Sequence, residues 1–260
     1  MTAAVENAPK SREGRSGKER LWDAAEQLLA QHGFDGVSVC EITEAARVDV
    51  ALGSCHFGGQ RGLFVSIFQH RADLLNSERA KFLQHVLNAA LPGRPGIDAL
   101  IIASVQPMLR LALAGEPGWN SYFQIVAQVS NSPHWATQLM TRHYDPEAGK
   151  LISALQAALP GVPAAEIFWA IQFLAGSVTM TFAQTGRIDR LSGGLCTSSD
   201  LKTALERLVP YAAAGFQALA QRAATTVGEK VPVKRERRVA PASKRDPKAK
   251  GRPRVGRKRP

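Results

Sequence analysis

The densest chemistry in this sequence is a run of cations. Residues 228–260 hold six lysines and eight arginines against Glu229, Glu236 and Asp246, a net +11 that equals the formal charge of the whole 260-residue chain. Residues 1–227 are therefore balanced, with 33 less 14 basic residues against 22 less 3 acidic ones. Each side chain that neutralises a phosphate releases condensed counterions, steepening the salt dependence of binding by about 0.9, so such a segment favours nucleic acid. It has almost no large apolar side chains and cannot build a core, which predicts a disordered tail over residues 226–260. Lys250, Gly251, Arg252, Pro253, Arg254, Arg257, Lys258 and Arg259 are its candidate DNA contacts. Arginine is drawn to the negative potential of a narrow minor groove, and glycine and proline keep the strand thin and extended.

Catalytic chemistry is not encoded in any comparable way. There is no G-x-S-x-G elbow, phosphate loop, dinucleotide fingerprint or H-E-x-x-H pair. A thiol at Cys196, in the run Ser192-Gly193-Gly194-Leu195-Cys196, has no nameable base beside it, so that run reads as a connecting turn. Cys40, Cys55 and Cys196 are too few and scattered for a disulfide framework, and with the six histidines they make no zinc spacing. The expectation is a protein that is not an enzyme and carries no cofactor or metal. The polar residues 1–17 have no signal-peptide pattern, and no apolar run reads as a bilayer span, which predicts a cytoplasmic protein without a membrane partner.

The elements that would bring a DNA reader to its site lie upstream. Ser38 followed by Glu41 is a capping-box start, and Val39, Ile42, Ala45 and Ala46 then repeat at helical spacing as far as Arg47-Val48-Asp49. Asp49 is placed to cap a second short helix from Val50 to Phe57, ended by Gly58-Gly59. Two short helices across a tight turn form a helix-turn-helix, whose second helix can enter a major groove. An earlier helix with an apolar face at Leu21, Ala24, Ala25, Leu28 and Leu29, stopped by Gly33, would support the pair.

On these residues the chain resembles the DNA-binding head of TetR-type bacterial regulators. The resemblance rests on Val39, Ile42, Ala45, Ala46, Val48, His56, Phe57, Leu63 and Phe64, and on the A-A-x-x-L-L-x-x-x-G-F pattern from Ala24 to Phe34. It implies head contacts to DNA from Ser38, Thr43, Arg47, Val50, Ala51, Ser54, His56, Gln60 and Arg61. Such heads usually have glycine in the turn, an aromatic before the His-Phe and Ser-Lys-Glu after it. Here those places hold Arg47, Cys55 and Gly59-Gln60-Arg61, so two customary phosphate anchors are replaced. The tail core Lys250-Gly251-Arg252-Pro253-Arg254 in turn resembles an AT-hook, which would supplement the head.

Beyond Gly62 the chain reads as all-α: one long helix ended by Leu91-Pro92-Gly93, then helices near 97–114, 117–130, 133–159, 163–185 and 199–223, about nine in all with the head. The predicted parts are an arm over residues 1–17, a head over 18–64, an effector-binding and dimerisation body over 65–225, and the tail. Trp119, Phe123, Trp135, His143, Trp169, Phe173 and Met180 are candidate pocket residues for an acyl or other hydrophobic effector, since aromatics across several helices can line a cavity. In TetR-type proteins the last two helices pair across a two-fold axis. That implies a homodimer interface at Phe168, Ile171, Ala175, Val209, Ala213 and Phe216. The F-W-A helix with the loop over residues 186–196 resembles the fatty-acid-responsive members of that family. The reading is a homodimeric, ligand-responsive regulator, most simply a repressor, of double-stranded DNA; the alternative is an architectural DNA binder driven by the tail.

Overall fold

The computed structural model describes residues 16–51, 57–116, 118–132 and 135–228, without the side chains of 135–136 and 226–228. The chain enters α1 (Gly17–His32) through a capping box in which the Ser16 hydroxyl accepts from the Glu19 N–H at 3.2 Å and the Glu19 carboxylate accepts from the Ser16 N–H at 2.7 Å. The helix thus starts inside the stretch expected to be an arm. Gly33, at φ 76°, ends it by donating its N–H to the Leu29 carbonyl at 2.9 Å. Helix α2 (Val39–Ala46) opens on the Ser38–Glu41 capping box as its sequence predicts.

The turn after α2 is closed by Arg47 in the left-handed region, φ 54° and ψ 50°, where a residue other than glycine costs about 1–2 kcal/mol. Arg20 of α1 offsets part of that by donating to the Ala46 carbonyl at 3.2 Å and the Arg47 carbonyl at 3.5 Å. Asp49 Oδ1 then accepts the Ala51 N–H at 2.7 Å, and a new helix begins at Val50. Leu21, Ala25, Leu29, Ile42, Ala46, Leu63 and Phe64 form the core beneath these elements.

Helix α3 (Gln60–Ala89) has 30 residues, a rod of about 45 Å. Near its start it packs on α1; farther along it packs on α4 (Ile97–Leu113). The body continues with α5 (Trp119–Ser130), α6 (Trp135–His143), α7 (Asp145–Ala158), α8 (Ala164–Phe182), α9 (Arg187–Leu191) and α10 (Leu201–Gly228). Helix α5 bridges the two parts, packing on α1 on one side and α8 on the other, while α10 closes the body against α4 and α8. No strand occurs among the described residues.

Three features depart from the sequence expectation. The helix anticipated over 133–159 breaks at Tyr144, because Pro146 occupies the first turn of α7, where a missing N–H is harmless but an incoming helix cannot continue. The connector over 186–198 contains the single turn α9, bringing the described helices to ten. Helix α8 also passes for a membrane span by length and composition, at a mean hydropathy of 1.2. Its Ile167, Leu174, Val178 and Phe182 nevertheless pack into the core, while Phe168, Trp169 and Phe173 are exposed.

Candidate DNA-reading head and effector cavity

The structure divides the expected head contacts. Arg47, Val50, Ala51 and Arg61 are exposed around the corner between α2 and α3. Ser38 is exposed too, but its hydroxyl already donates to Glu41 Oε2 at 2.7 Å and accepts the Glu41 N–H. Two residues turn inward, Thr43 buried and Gln60 half-buried. Thr43 has 0% exposure, with its hydroxyl donating to the Cys40 carbonyl at 2.9 Å, so it supports α2 instead of touching DNA. Gln60 turns its amide toward the loop after α1 and donates to the carbonyls of Phe34 and Val37. It pins the head together where a phosphate contact was expected. Ser54, Cys55 and His56 lie outside the described residues, as do all the tail candidates from Lys250 to Arg259.

Head and body meet at a buried ion pair that no local sequence signal announces. Glu26 of α1 and Arg71 of α3 are joined by two hydrogen bonds of 2.7 and 2.8 Å. Burial pushes the Glu26 carboxyl above its usual range, held back in part by Arg71. For Arg71, burial disfavours the charge, but the Glu26 hydrogen bonds and charge outweigh it and raise its affinity for the proton. The guanidinium stacks 4.7 Å from the Trp119 ring centre, so Trp119, expected in the pocket, is instead the buried wall of this junction. Gln128 of α5 adds a second tie, donating to the Ala30 carbonyl of α1 at 2.9 Å.

A cavity of about 1040 Å³ opens among α3 to α8, and its wall includes Ala30 of the head. Leu83, Val105, Met108, Leu174 and Val178 supply apolar lining, with Arg79, Gln124 and Tyr144 as polar points. Of the pocket residues expected from sequence, Met180 lines it. Phe123 is core, its ring 5.0 Å from that of Phe182. His143 is buried against Phe68 and borders a separate cleft of about 330 Å³ with Asp73, Asn76 and Arg142. The Trp135 side chain is outside the described set. Trp169 and Phe173 point away from the cavity, 61% and 66% exposed with rings 6.0 Å apart.

Those two rings lie with Phe168 on the outer face of α8, and Tyr211 of α10 is exposed as well. The residues expected at a dimer interface fall into different surroundings. Ala213 and Phe216 are buried within the chain's own core, and Val209 is half-buried against that core. Ile171 and Ala175 line the cavity. Both apolar helices form, but helical periodicity alone does not say which of their faces turns inward. Among the described residues no cluster of three or more histidine, cysteine or acidic side chains could hold a metal.

A short helix, a tight turn and a second helix start, carried on a long rod beneath a helical body with its own cavity, define a helix-turn-helix regulator. Residues 21–67 match the family profile described as bacterial regulatory proteins, tetR family, and residues 103–215 match the tetracyclin repressor-like C-terminal domain. The chain belongs to the TetR family of transcriptional regulators. Solved structures agree on the fold. A protein named as a transcriptional regulator from Pseudomonas aeruginosa PAO1 matches at 19% identity and TM-score 0.55, over 85% of this chain and 98% of that one. The TetR-family regulator SCO4454 from Streptomyces coelicolor matches at 16% identity and TM-score 0.52, over 80% and 90%. The fatty acid degradation regulator FadR from Bacillus halodurans matches at 15% identity and TM-score 0.50, over 75% and 95%. No curated protein matches at a significant level.

Proposed function

We propose that this protein is a cytoplasmic, homodimeric repressor that reads a palindromic operator through the corner carrying Arg47, Val50 and Ala51, and that an effector in the body cavity controls its grip. The observation that carries the reading is the wall the two parts share: Ala30 of α1 lines the cavity, and Gln128 beside it holds the Ala30 carbonyl. A ligand that fits only one setting of that wall shifts the population toward it, and the head moves with α1. The ligand is hydrophobic in its larger part, because the lining is mainly aliphatic; FadR of Bacillus halodurans, a regulator of fatty acid degradation, has the same fold.

Two heads carried by one dimer would meet half-sites about one DNA turn apart. The exposed Phe168, Trp169 and Phe173 favour α8 as the dimer seam. The basic residues 250–259 would add AT-hook-like affinity by keeping DNA near the heads. The reading is tested by selecting operator fragments with the full chain and titrating hydrophobic compounds for release. A tail-driven architectural role remains the second reading, favoured by the inward turn of Thr43 and Gln60, which leaves the head with fewer contacts. It predicts retention of A·T-rich DNA without a palindrome.

A further inference from the structure

Among the described residues that line the cavity, one is a cation, and it is half-buried. Arg79 reaches the cavity from α3, and among the described residues no carboxylate lies within ion-pair distance of its guanidinium. Nε donates to the Ser104 carbonyl at 3.2 Å, Nη2 donates to the Met108 sulfur at 3.1 Å, and the group sits 5.5 Å from the Tyr144 ring centre. A guanidinium carries five N–H donors, and Nη1 has no acceptor among the described residues. Around it the wall is aliphatic, with Leu83, Val105 and Met108 near the cation and Leu174, Ala175 and Val178 on α8.

Two carboxylates border the same cavity, and neither neutralises Arg79. Glu147 gives an oxygen to Lys150 at 2.6 Å, and Asp145 is exposed. Burial pulls the Arg79 guanidinium below its usual range, while Tyr144, Tyr122 and Glu147 act in the opposite direction. A charge partly withdrawn from water gains from a paired counter-ion, because its lost hydration is otherwise uncompensated.

We propose that the effector is an amphipathic carboxylate whose anionic end pairs with Arg79 through the unused guanidinium face and whose apolar end lies along Leu174, Ala175 and Val178. This rests on the reading of the cavity as the effector site. It sharpens that reading, because an alkane, alcohol or ester of equal size would fill the aliphatic wall and leave the cation uncompensated. The position also suits a switch. Tyr144 stacks under Arg79, its hydroxyl lies 2.8 Å from that of Tyr122, and Tyr122 and Tyr144 both pack on Phe68, whose ring neighbours Phe64 in the head core.

The test uses the full chain loaded with the neutral fluorophore N-phenylnaphthylamine, displaced by decanoate or by decanol. Decanoate should compete at a concentration lower by about tenfold or more, the range for a hydrogen bond to a charged group. Arg79→Met should abolish that advantage while leaving decanol competition unchanged, and Arg79→Lys should restore part of it. Equal competition by the two compounds on the unaltered chain would overturn the inference, as would an undiminished advantage in Arg79→Met. Operator retention, followed in parallel, separates the two layers. Arg79-dependent decanoate binding without DNA release supports the carboxylate site and contradicts its regulatory use. Decanoate-driven release that is equal in Arg79→Met contradicts the pairing and supports the regulatory cavity.

Discussion

Arg71 Nε stands 2.7 Å from Glu26 Oε1, and Arg71 Nη2 stands 2.8 Å from Glu26 Oε2, so the first helix of the head is clasped at two points by the helix that carries it into the body. Gly118 lies directly against this clasp. A Cβ there would come within 1.8 Å of Glu26 Oε2 and 2.3 Å of Arg71 Nη2, and its φ of +98° already belongs to glycine. The pair is therefore enclosed on a third side by the turn that starts α5.

Opening the clasp should be costly. Glu26→Gln leaves Arg71 buried without its counter-ion, a loss of about 3–5 kcal/mol, read as a lowered midpoint in chemical denaturation. Gly118→Ala should destabilise by forcing the same pair apart, and the double variant should be less destabilised than the sum of the singles. Strict additivity would mean that Gly118 acts elsewhere.

Gln60 and Arg61 are adjacent in sequence and should behave differently. Gln60→Leu removes the amide that holds the Phe34 and Val37 carbonyls, lowering stability by about 1–3 kcal/mol while leaving the salt slope of DNA binding unchanged. Arg61→Gln should flatten that slope by about 0.9. Measured slopes that move with Gln60 instead would return it to the phosphate contacts.

The outer face of α8 should hold the dimer. Phe173→Glu places a charge in the exposed aromatic patch and should shift sedimentation at micromolar protein from dimer to monomer, with loss of operator affinity, because half-sites would be bound singly. A dimer unaffected by both Phe173→Glu and Trp169→Glu would locate the seam elsewhere.

Stability should fall on mild acidification. Burial holds the His143 imidazole below its usual proton affinity; Asp73 acts against this, and Arg142 adds to it. The unfolded chain then takes up a proton near the ordinary value of about 6.5 while the folded chain still resists. The contribution is full above that pH and is lost as pH drops toward the folded value. His70, beside Trp22, is lowered in the same sense by burial, with Arg71 acting the same way. His143→Gln should therefore reduce the slope of unfolding free energy between about pH 5 and 7 without abolishing it. An unchanged slope would show that His143 does not contribute.

What could be read from the sequence was what depends on near neighbours. The Ser38–Glu41 cap, the Gly33 stop and the Asp49 helix start are interactions over two to four residues, and each appears at its expected place. Glu26 and Arg71 are 45 residues apart, and Gln60 reaches back 26 to Phe34, so no periodicity could pair them. Aromatic residues carried a different ambiguity. Trp119 and Trp169 both sit at apolar positions of apolar helices, yet one is sealed against Arg71 and the other stands outward. Hydrophobicity states that a side chain avoids water, not whether its own core or a second subunit excludes that water. Arg79 was missed because a lone arginine on a long helix looks like an ordinary solvated charge.

The most direct test of operator reading by the head is selection from a pool of genomic fragments at graded salt, using the full chain, the full chain with Ala51→Glu, and residues 1–227. The unaltered chain and the shortened chain should retain the same palindrome, the shortened one with a shallower salt slope, and Ala51→Glu should lose it. Retention of the same fragments by Ala51→Glu, or an A·T-rich pool without a palindrome that disappears with the tail, would contradict the account and leave a DNA binder driven by its C-terminal cations.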